Sequence, residues 1–419
     1  MEGTKHLTPR YSQMALGLAD DILGPILADG SKPDFISFGG GLPCPEGFPV
    51  EALREASDWC LKTYPSRSLQ YSGPEGEPEL REQIAAYETS RGNPTSPDEI
   101  LVTSGSQQAL DLCGRVFCDP GSKILIQRPS YIGALEAFNL SQPTYVEMPS
   151  DAEGAAPAEI GEEARGVRFA YTLATYCNPT GQTMSAERRK QLIEKAEQYD
   201  FWIVEDDPYG ELWYEKKPPI SIRNLAPHRT IRLCSFSKIL APGLRLGYII
   251  APRDVIQMFS KIQSYAVLST PCINQLVAAR VLASGLLKTH LPEVRAIYRE
   301  HSFDMQQALS EFMPKDPGIS WTRPEGGMFI WLTLPKPIDT FAMLPKALRM
   351  KLLYVPGFAF YPNSPEQNHI RLSFVTVPKE KTIEGVQRLA ALVSDELRRL
   401  SSLKAKRNTT PWLCQKLKF

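Results

Sequence analysis

The residues of this chain that could do chemistry gather around Lys238. It stands in Ser235-Phe236-Ser237-Lys238, and Pro242-Gly243-Leu244-Arg245 follows directly. A lysine amine attacks a carbonyl only after losing its proton, and a desolvated, cationic pocket favours that loss. Ser235, Ser237 and Arg245 could bind a phosphate nearby, the arginine through two parallel hydrogen bonds. A lone loop lysine is more often a solvated surface residue. The weight of Lys238 therefore rests on its companions.

One companion is Thr103-Ser104-Gly105-Ser106-Gln107-Gln108, where an apolar run turns into a helical pattern. Unpaired backbone N–H groups and the helix dipole make such a start an anion site; the plainer reading is an N-cap on Ser104 or Ser106. Another is Glu205-Asp206-Asp207-Pro208-Tyr209, with acids at the end of an apolar strand. A carboxylate beneath a ring nitrogen would keep that nitrogen protonated. Metal binding is the rival, but no histidine cluster accompanies the acids. Tyr176-Cys177-Asn178-Pro179-Thr180-Gly181 is at least a turn, and Asn178 and Tyr209 could hydrogen-bond a ligand oxygen. Tyr131 in Arg128-Pro129-Ser130-Tyr131 offers a face to a flat ring, or fills a core. Arg371, inside the apolar run Ile370 to Phe374, requires an anionic partner, either an internal acid or a substrate carboxylate.

The elements that must position these groups are strands and crossover helices. Apolar runs at Ile100-Leu101-Val102, Lys123 to Ile126, Phe169 to Thr172, Phe201 to Val204, Ile231 to Cys234 and Leu246 to Ile250 alternate with helical patterns at 107–118 and 185–199. That alternation predicts an α/β fold with a mostly parallel sheet, whose ligands bind at the carboxyl ends of the strands. After about residue 315 the pattern changes to strands around Gly327 to Leu332, Leu352 to Val355 and Ile370 to Phe374, then a helix over 382–400, as in a smaller α+β domain.

Bulk properties agree with an enzyme of small molecules. The chain has 419 residues, enough for two domains. Lys plus Arg equals Asp plus Glu at 47 each, and no basic block marks a nucleic-acid footprint. The eight cysteines show neither CxxC spacing nor disulfide density. No run is apolar enough for a membrane span, and the N-terminus has no signal-like core. A cytoplasmic setting is the expectation.

In this order the motifs resemble the class I/II aminotransferases of the fold-type I pyridoxal-phosphate (PLP) enzymes, particularly the kynurenine/2-aminoadipate and aromatic aminotransferase subgroup. The likeness spans about residues 30 to 400. It is carried by Phe38-Gly39-Gly40-Gly41-Leu42-Pro43, Gln70-Tyr71-Ser72-Gly73, Ser104 to Gln108, Asn178 to Gly181, Asp206 to Tyr209, Ser235 to Lys238 with Arg245, and Arg371. The resemblance implies that Lys238 holds PLP as a Schiff base and moves the proton. Asp206 would pair with the ring nitrogen, chosen over Asp207 because the family's tyrosine stands three residues after its acid. Tyr131 would stack on the ring, and Asn178 and Tyr209 would hold its phenolic oxygen. Ser106, Gln107, Ser235, Ser237 and Arg245 would bind the phosphate, with Tyr71 reaching over from a second subunit of a homodimer. Arg371 would grip the substrate carboxylate, helped by Gly41 and Asn178. No metal is implied.

The implied organisation is an N-terminal arm and part of a small domain at 1–50, a large PLP-binding domain at 51–315, a C-terminal small domain at 316–403 and a flexible basic tail at 404–419. The implied reaction passes an amino group from an apolar, aromatic or 2-aminoadipate-like amino acid to a 2-oxo acid such as 2-oxoglutarate, by ping-pong chemistry. The stretch Ala19 to Ile26 is expected to cap the site, without an arginine for an acidic side chain. A PLP lyase or decarboxylase on the same fold is the nearest rival. A ligand-sensing regulator behind a DNA-binding domain is another, disfavoured because too few residues precede Phe38 to form that domain. Intact Lys238, Asp206 and Arg371 argue against a non-catalytic binding protein.

Overall fold

A computed structural model describes residues 10–18, Gly24 and 32–408, with side chains to Leu403. Two sheets dominate the molecule. The larger is built from β2 (Ile100–Thr103), β3 (Lys123–Ile126), β4 (Thr144–Glu147), β7 (Val167–Thr172), β8 (Trp202–Asp206), β9 (Thr230–Ser235) and β10 (Gly247–Ile250) in the order β2-β10-β9-β8-β7-β3-β4. A two-stranded hairpin, β5 (Ser150–Asp151) and β6 (Gly154–Ala155), leads from β4 towards β7. Strand β10 is antiparallel to both neighbours, β2 and β9, and the other pairings are parallel. Strands β2 and β9 therefore run the same way on either side of β10, and their carboxyl ends share one edge with β7 and β8.

Each expected strand of this sheet forms within a residue or two of its apolar run. Strand β4 was not among the expectations. It is an edge strand whose residues are only partly buried, so its sequence Thr144-Tyr145-Val146-Glu147 lacks an apolar run.

Side chains alternate across the sheet and so divide the core into layers. Ile100, Val102, Tyr248 and Ile250 pack under α1 (Val50–Thr63), α2 (Pro78–Ser90) and α7 (Cys272–Ala283). Leu101, Ile124, Ile126, Val204, Ile231 and Ile249 face α3 (Ser106–Phe117), α4 (Ile132–Asn139) and α6 (Arg253–Val267). Leu125, Ala170 and Ile203 lie against α5 (Ala186–Tyr199). Each fully buried Leu or Ile contributes about 1.5–3 kcal/mol, so both faces of the central strands are committed to packing.

The smaller sheet has the order β11-β12-β15-β14, from β11 (Ser320–Trp321), β12 (Phe329–Thr333), β14 (Val355–Pro356) and β15 (His369–Ser373). A separate short strand, β13 (Leu352–Leu353), pairs in parallel with β1 (Ile36–Ser37), which ties the start of the described chain to this part of the molecule. Helix α8 (Leu287–Phe312) links the strands of the two sheets in the chain and packs on α9 (Lys379–Asn408). The tail expected from residue 404 is corrected in part, because α9 continues to Asn408. Residues 19–23, 25 and 26 of the expected cap lie outside the described residues. Among the described residues no helix is long and apolar enough to cross a membrane.

Candidate active site

The carboxyl ends of β7, β8 and β9 bring the sequence-selected groups together. Alternation along β8 sends the three successive acids to different tasks. Glu205 and Asp207 point to one face, where Glu205 accepts from the backbone N–H groups of Ile222 (2.9 Å) and Arg223 (3.0 Å). Asp207 pairs with Arg232 at 2.6 Å, and the same guanidinium meets Glu88 at 2.8 Å. Asp206 faces the other way and is 2% exposed. Its Oδ2 accepts from the Tyr171 hydroxyl at 2.8 Å, whereas its Oδ1 is buried without a partner. Burial pushes this carboxyl up to about 7.

Lys238 lies in the loop after β9. Its Nζ donates to the Gly41 carbonyl at 2.8 Å, which brings Phe38 to Leu42 across the site. Burial, with help from the Arg371 and Arg245 charges, lowers the amine to about 8. About a tenth of the amine is thus free base at pH 7.

Arg371 projects from β15 and is 7% exposed. Its Nη1 donates to Asn178 Oδ1 at 3.1 Å and its Nη2 to the Gly39 carbonyl, while its Nε is buried without a partner. Burial lowers its ionisation to about 10. The rings of Phe329 and Phe360 lie 4.6 and 5.2 Å from the guanidinium carbon. Asn178 reaches this position because its loop closes on β12 at Gly181, whose φ is +71°. A Cβ there would lie 2.5 Å from the Phe329 carbonyl oxygen, so the close approach requires glycine.

The anion cradle forms where β2 meets α3. Gly105, with φ of +82°, is the N-cap of α3 and Ser106 is its first residue, so the helix begins without a side-chain cap and the plainer serine-cap reading does not hold. Its first N–H groups are left for a ligand. Arg245 donates from Nη2 to the Ser104 carbonyl at 3.3 Å. Ser235 Oγ accepts from the Ser237 N–H at 3.1 Å, which fixes the turn that presents both hydroxyls. Gln107 is exposed and its side-chain amide donates to the Gly133 carbonyl at 2.7 Å, beside the start of α4.

Tyr131 caps α4 and is partly buried; burial pushes its hydroxyl up to about 12, and Asp206, Arg371 and Arg245 all act on it electrostatically. Tyr209 packs edge-on to Phe329 at 5.9 Å, and burial pushes its hydroxyl up, so it remains a donor. Tyr71 stands apart from this group, 78% exposed on the surface. Sequence reasoning missed Tyr171 and the Arg232 pairs. The only available signal was a polar residue in an otherwise apolar strand.

The arrangement fits a flat heterocycle that carries a phosphate and a ring nitrogen. The unpartnered Oδ1 of Asp206 is an acceptor for a protonated nitrogen, the start of α3 and Arg245 are donors for the phosphate, and Lys238 is a partly deprotonated amine between them. No group of three or more His, Cys, Asp or Glu able to hold a metal occurs among the described residues.

Comparison with known proteins points the same way. The family model described as aminotransferase class I and II matches residues 35–389. Aromatic-amino-acid aminotransferase 1 of Thermococcus litoralis is 42% identical over 398 residues, 93% of this chain and 95% of that protein. The 2-aminoadipate transaminase of Thermus thermophilus is 38% identical over 365 residues, 85% of this chain and 90% of its own. The crystal structure of Pyrococcus horikoshii kynurenine aminotransferase, in complex with PMP, aligns with a TM-score of 0.88 at 41% identity, covering 92% of this chain and 97% of that one.

Proposed function

Because the chain belongs to the class I and II aminotransferases and is a PLP-dependent transaminase, we propose that it takes the amino group of an apolar, aromatic or 2-aminoadipate-like amino acid and passes it to a 2-oxo acid such as 2-oxoglutarate. The observation that carries this reading is Arg371, a buried guanidinium with neutral hydrogen-bond partners, aimed at the same space as Lys238. A substrate carboxylate supplies the missing anion.

When bound, the cofactor supplies an electrophilic carbon for the amino group and a ring that withdraws electrons from the substrate α-carbon. The remaining work belongs to the protein. Arg371 and Asn178 hold the α-carboxylate and so fix the direction of the α C–H bond. Lys238 Nζ takes the proton from that carbon and delivers it two atoms away, across the amino nitrogen, a task suited to an amine lowered to about 8. Asp206 Oδ1 holds a proton at the ring nitrogen. Asn178 and Tyr209 hold the phenolic oxygen, and Tyr131 covers the ring. Ser106, Gln107, Ser235, Ser237 and Arg245 retain the phosphate.

The apolar or aromatic preference is supported by Phe329 and Phe360 beside the clamp and by Leu42, 65% exposed next to Gly41. The three relatives named above carry aromatic, 2-aminoadipate and kynurenine substrates in their names. A homodimer belongs to the same proposal, with Tyr71 reaching the partner's phosphate; Leu69 and Tyr71 at 78%, Tyr265 at 79% and Leu268 at 61% exposure supply apolar surface for an interface. A cytoplasmic setting also belongs to it, in keeping with the free thiols of the seven described cysteines. The deciding experiment is a panel of amino acids against 2-oxoglutarate, scored for the oxo-acid product and for glutamate. Glutamate in step with an aromatic or branched oxo acid is the expected result. Ammonia and pyruvate without glutamate would establish elimination instead.

A further inference from the structure

A carboxylate buried as deeply as Asp206 is ordinarily held by a cation, and among the described residues no cation pairs with Asp206. The titratable groups that act on it or feel its charge are Cys113 from α3, Tyr131 from α4, Tyr171 from β7, Cys177, Asp207 and Tyr209. Five are neutral near pH 7 and the sixth, Asp207, is an acid whose charge works against ionisation of Asp206. The hydrogen bond from Tyr171 to Oδ2 is what opposes burial and Asp207. Burial also pushes the Tyr171 hydroxyl well above its ordinary value, so it stays a donor. Its ring is held edge-on by Phe138 at 5.3 Å, which fixes where the hydroxyl points.

We propose that Tyr171 is a positioning residue for the reaction: its hydroxyl pins Oδ2 of Asp206, so that Oδ1 is the oxygen offered to the cofactor's ring nitrogen and the carboxylate stays anionic there. The proposal rests on reading Asp206 as the partner of that nitrogen. The geometry is selective because a carboxylate turned about its last bond exchanges its two oxygens. With one oxygen pinned by Tyr171 from the neighbouring strand β7, the other is left for the ligand. A buried oxygen without a partner is costly, so binding of a protonated ring nitrogen is favoured over binding of a ring that carries no donor.

The test uses Tyr171→Phe, which keeps the ring and removes the donor. Affinity of the cofactor-free protein is measured for PLP and for its analogue with carbon in place of the ring nitrogen, alongside the pH profile of kcat/KM in the loaded enzyme. PLP affinity should fall about tenfold to a hundredfold, the worth of a hydrogen bond to a charged group, with analogue affinity unchanged. The acid limb of the profile should move to higher pH while KM for the amino acid changes little. An equal loss for both cofactors, or no loss for either, overturns the proposal.

Asp206→Asn separates the two levels. If Asp206→Asn still prefers PLP to the analogue as the unaltered protein does, the reading of Asp206 fails. If Asp206→Asn loses that preference and Tyr171→Phe keeps it, only the role of Tyr171 fails. Should Tyr171→Phe not fold, 3-fluorotyrosine at position 171 supplies a stronger donor of nearly equal size. The acid limb should then move to lower pH, and an unmoved limb overturns the proposal.

Discussion

Arg371 meets an amide where a buried guanidinium usually meets a carboxylate: its Nη1 lies 3.1 Å from Oδ1 of Asn178, 193 residues away in the chain. Its second contact, the Gly39 carbonyl, is neutral as well. The positive charge is therefore solvated by dipoles and aromatic faces and left uncancelled. The same charge helps lower Lys238, so clamp and base are electrostatically linked across the site.

Replacing Arg371 by Gln leaves a shorter, neutral hydrogen-bonding side chain and removes the charge. Two charge-assisted hydrogen bonds to the substrate carboxylate are lost, so kcat/KM for amino acids should fall about a hundredfold or more. Steady-state rates check this. Slow turnover of amines that lack the carboxylate should be no worse in the variant than in the unaltered enzyme.

Lys238 should capture PLP with a pH dependence set by its own amine. Only the neutral amine reacts, so the rate should rise about tenfold per pH unit below 8 and level off above it. Stopped-flow absorbance of the cofactor-free protein measures the midpoint. Arg371→Gln removes a neighbouring cation and should move that midpoint upward. A midpoint near the ordinary lysine value in the unaltered protein would contradict the burial assigned to Lys238.

Asp206 should make the cofactor-free protein less stable as pH rises. Its carboxyl is raised to about 7 in the folded state, against 3.8 as the ordinary value. Between those values the folded state holds a proton that the unfolded state has released, so stability falls with increasing pH across that window. Asp206→Asn should flatten this dependence and, at pH 8, exceed the unaltered cofactor-free protein by on the order of 2–4 kcal/mol. Denaturant melts across the pH range test it.

Gly105→Ala should loosen the phosphate cradle. The residue has φ of +82°, and an added Cβ would lie 2.9 Å from the Arg245 guanidinium. The backbone is then strained and Arg245 must shift, so PLP affinity should drop about tenfold or more while Lys238 and Asp206 stay in place. Equilibrium titration with PLP provides the measurement.

Legibility of the sequence followed burial. Strands β2, β8, β9 and β10 are buried on both faces and stand out as apolar runs, whereas β4 is half exposed and has no such pattern. Lys238, Arg245 and Arg371 could be selected as chemical groups, but nothing in their spacing shows that they converge. The choice of Asp206 over Asp207 came from resemblance; alternation along β8 and the Arg232 ion pair supply the physical reason. Tyr171 was invisible because a tyrosine in a strand reads as core, and its partner lies on the neighbouring strand. The turn at Gly105 left two readings open, since the serines on either side are the commoner caps and only the backbone shows that glycine takes the position.

The placement of β10 between β2 and β9 has a consequence for how the protein comes into being. Gly247 packs against both Gly105 and Cys234, so close that a Cβ would lie 2.8 Å from the Gly105 carbonyl carbon and 2.7 Å from the Cys234 carbonyl oxygen. The strand that carries the acid and the loop that carries the lysine are synthesised before the strand that joins them to the cradle. A growing chain that has just emerged past Lys238 thus owns the reactive groups but lacks the wall that holds a cofactor beside them. With β10 the phosphate cradle is joined to the acid and the lysine, whereas the carboxylate clamp waits for Arg371 on β15, far later in the chain.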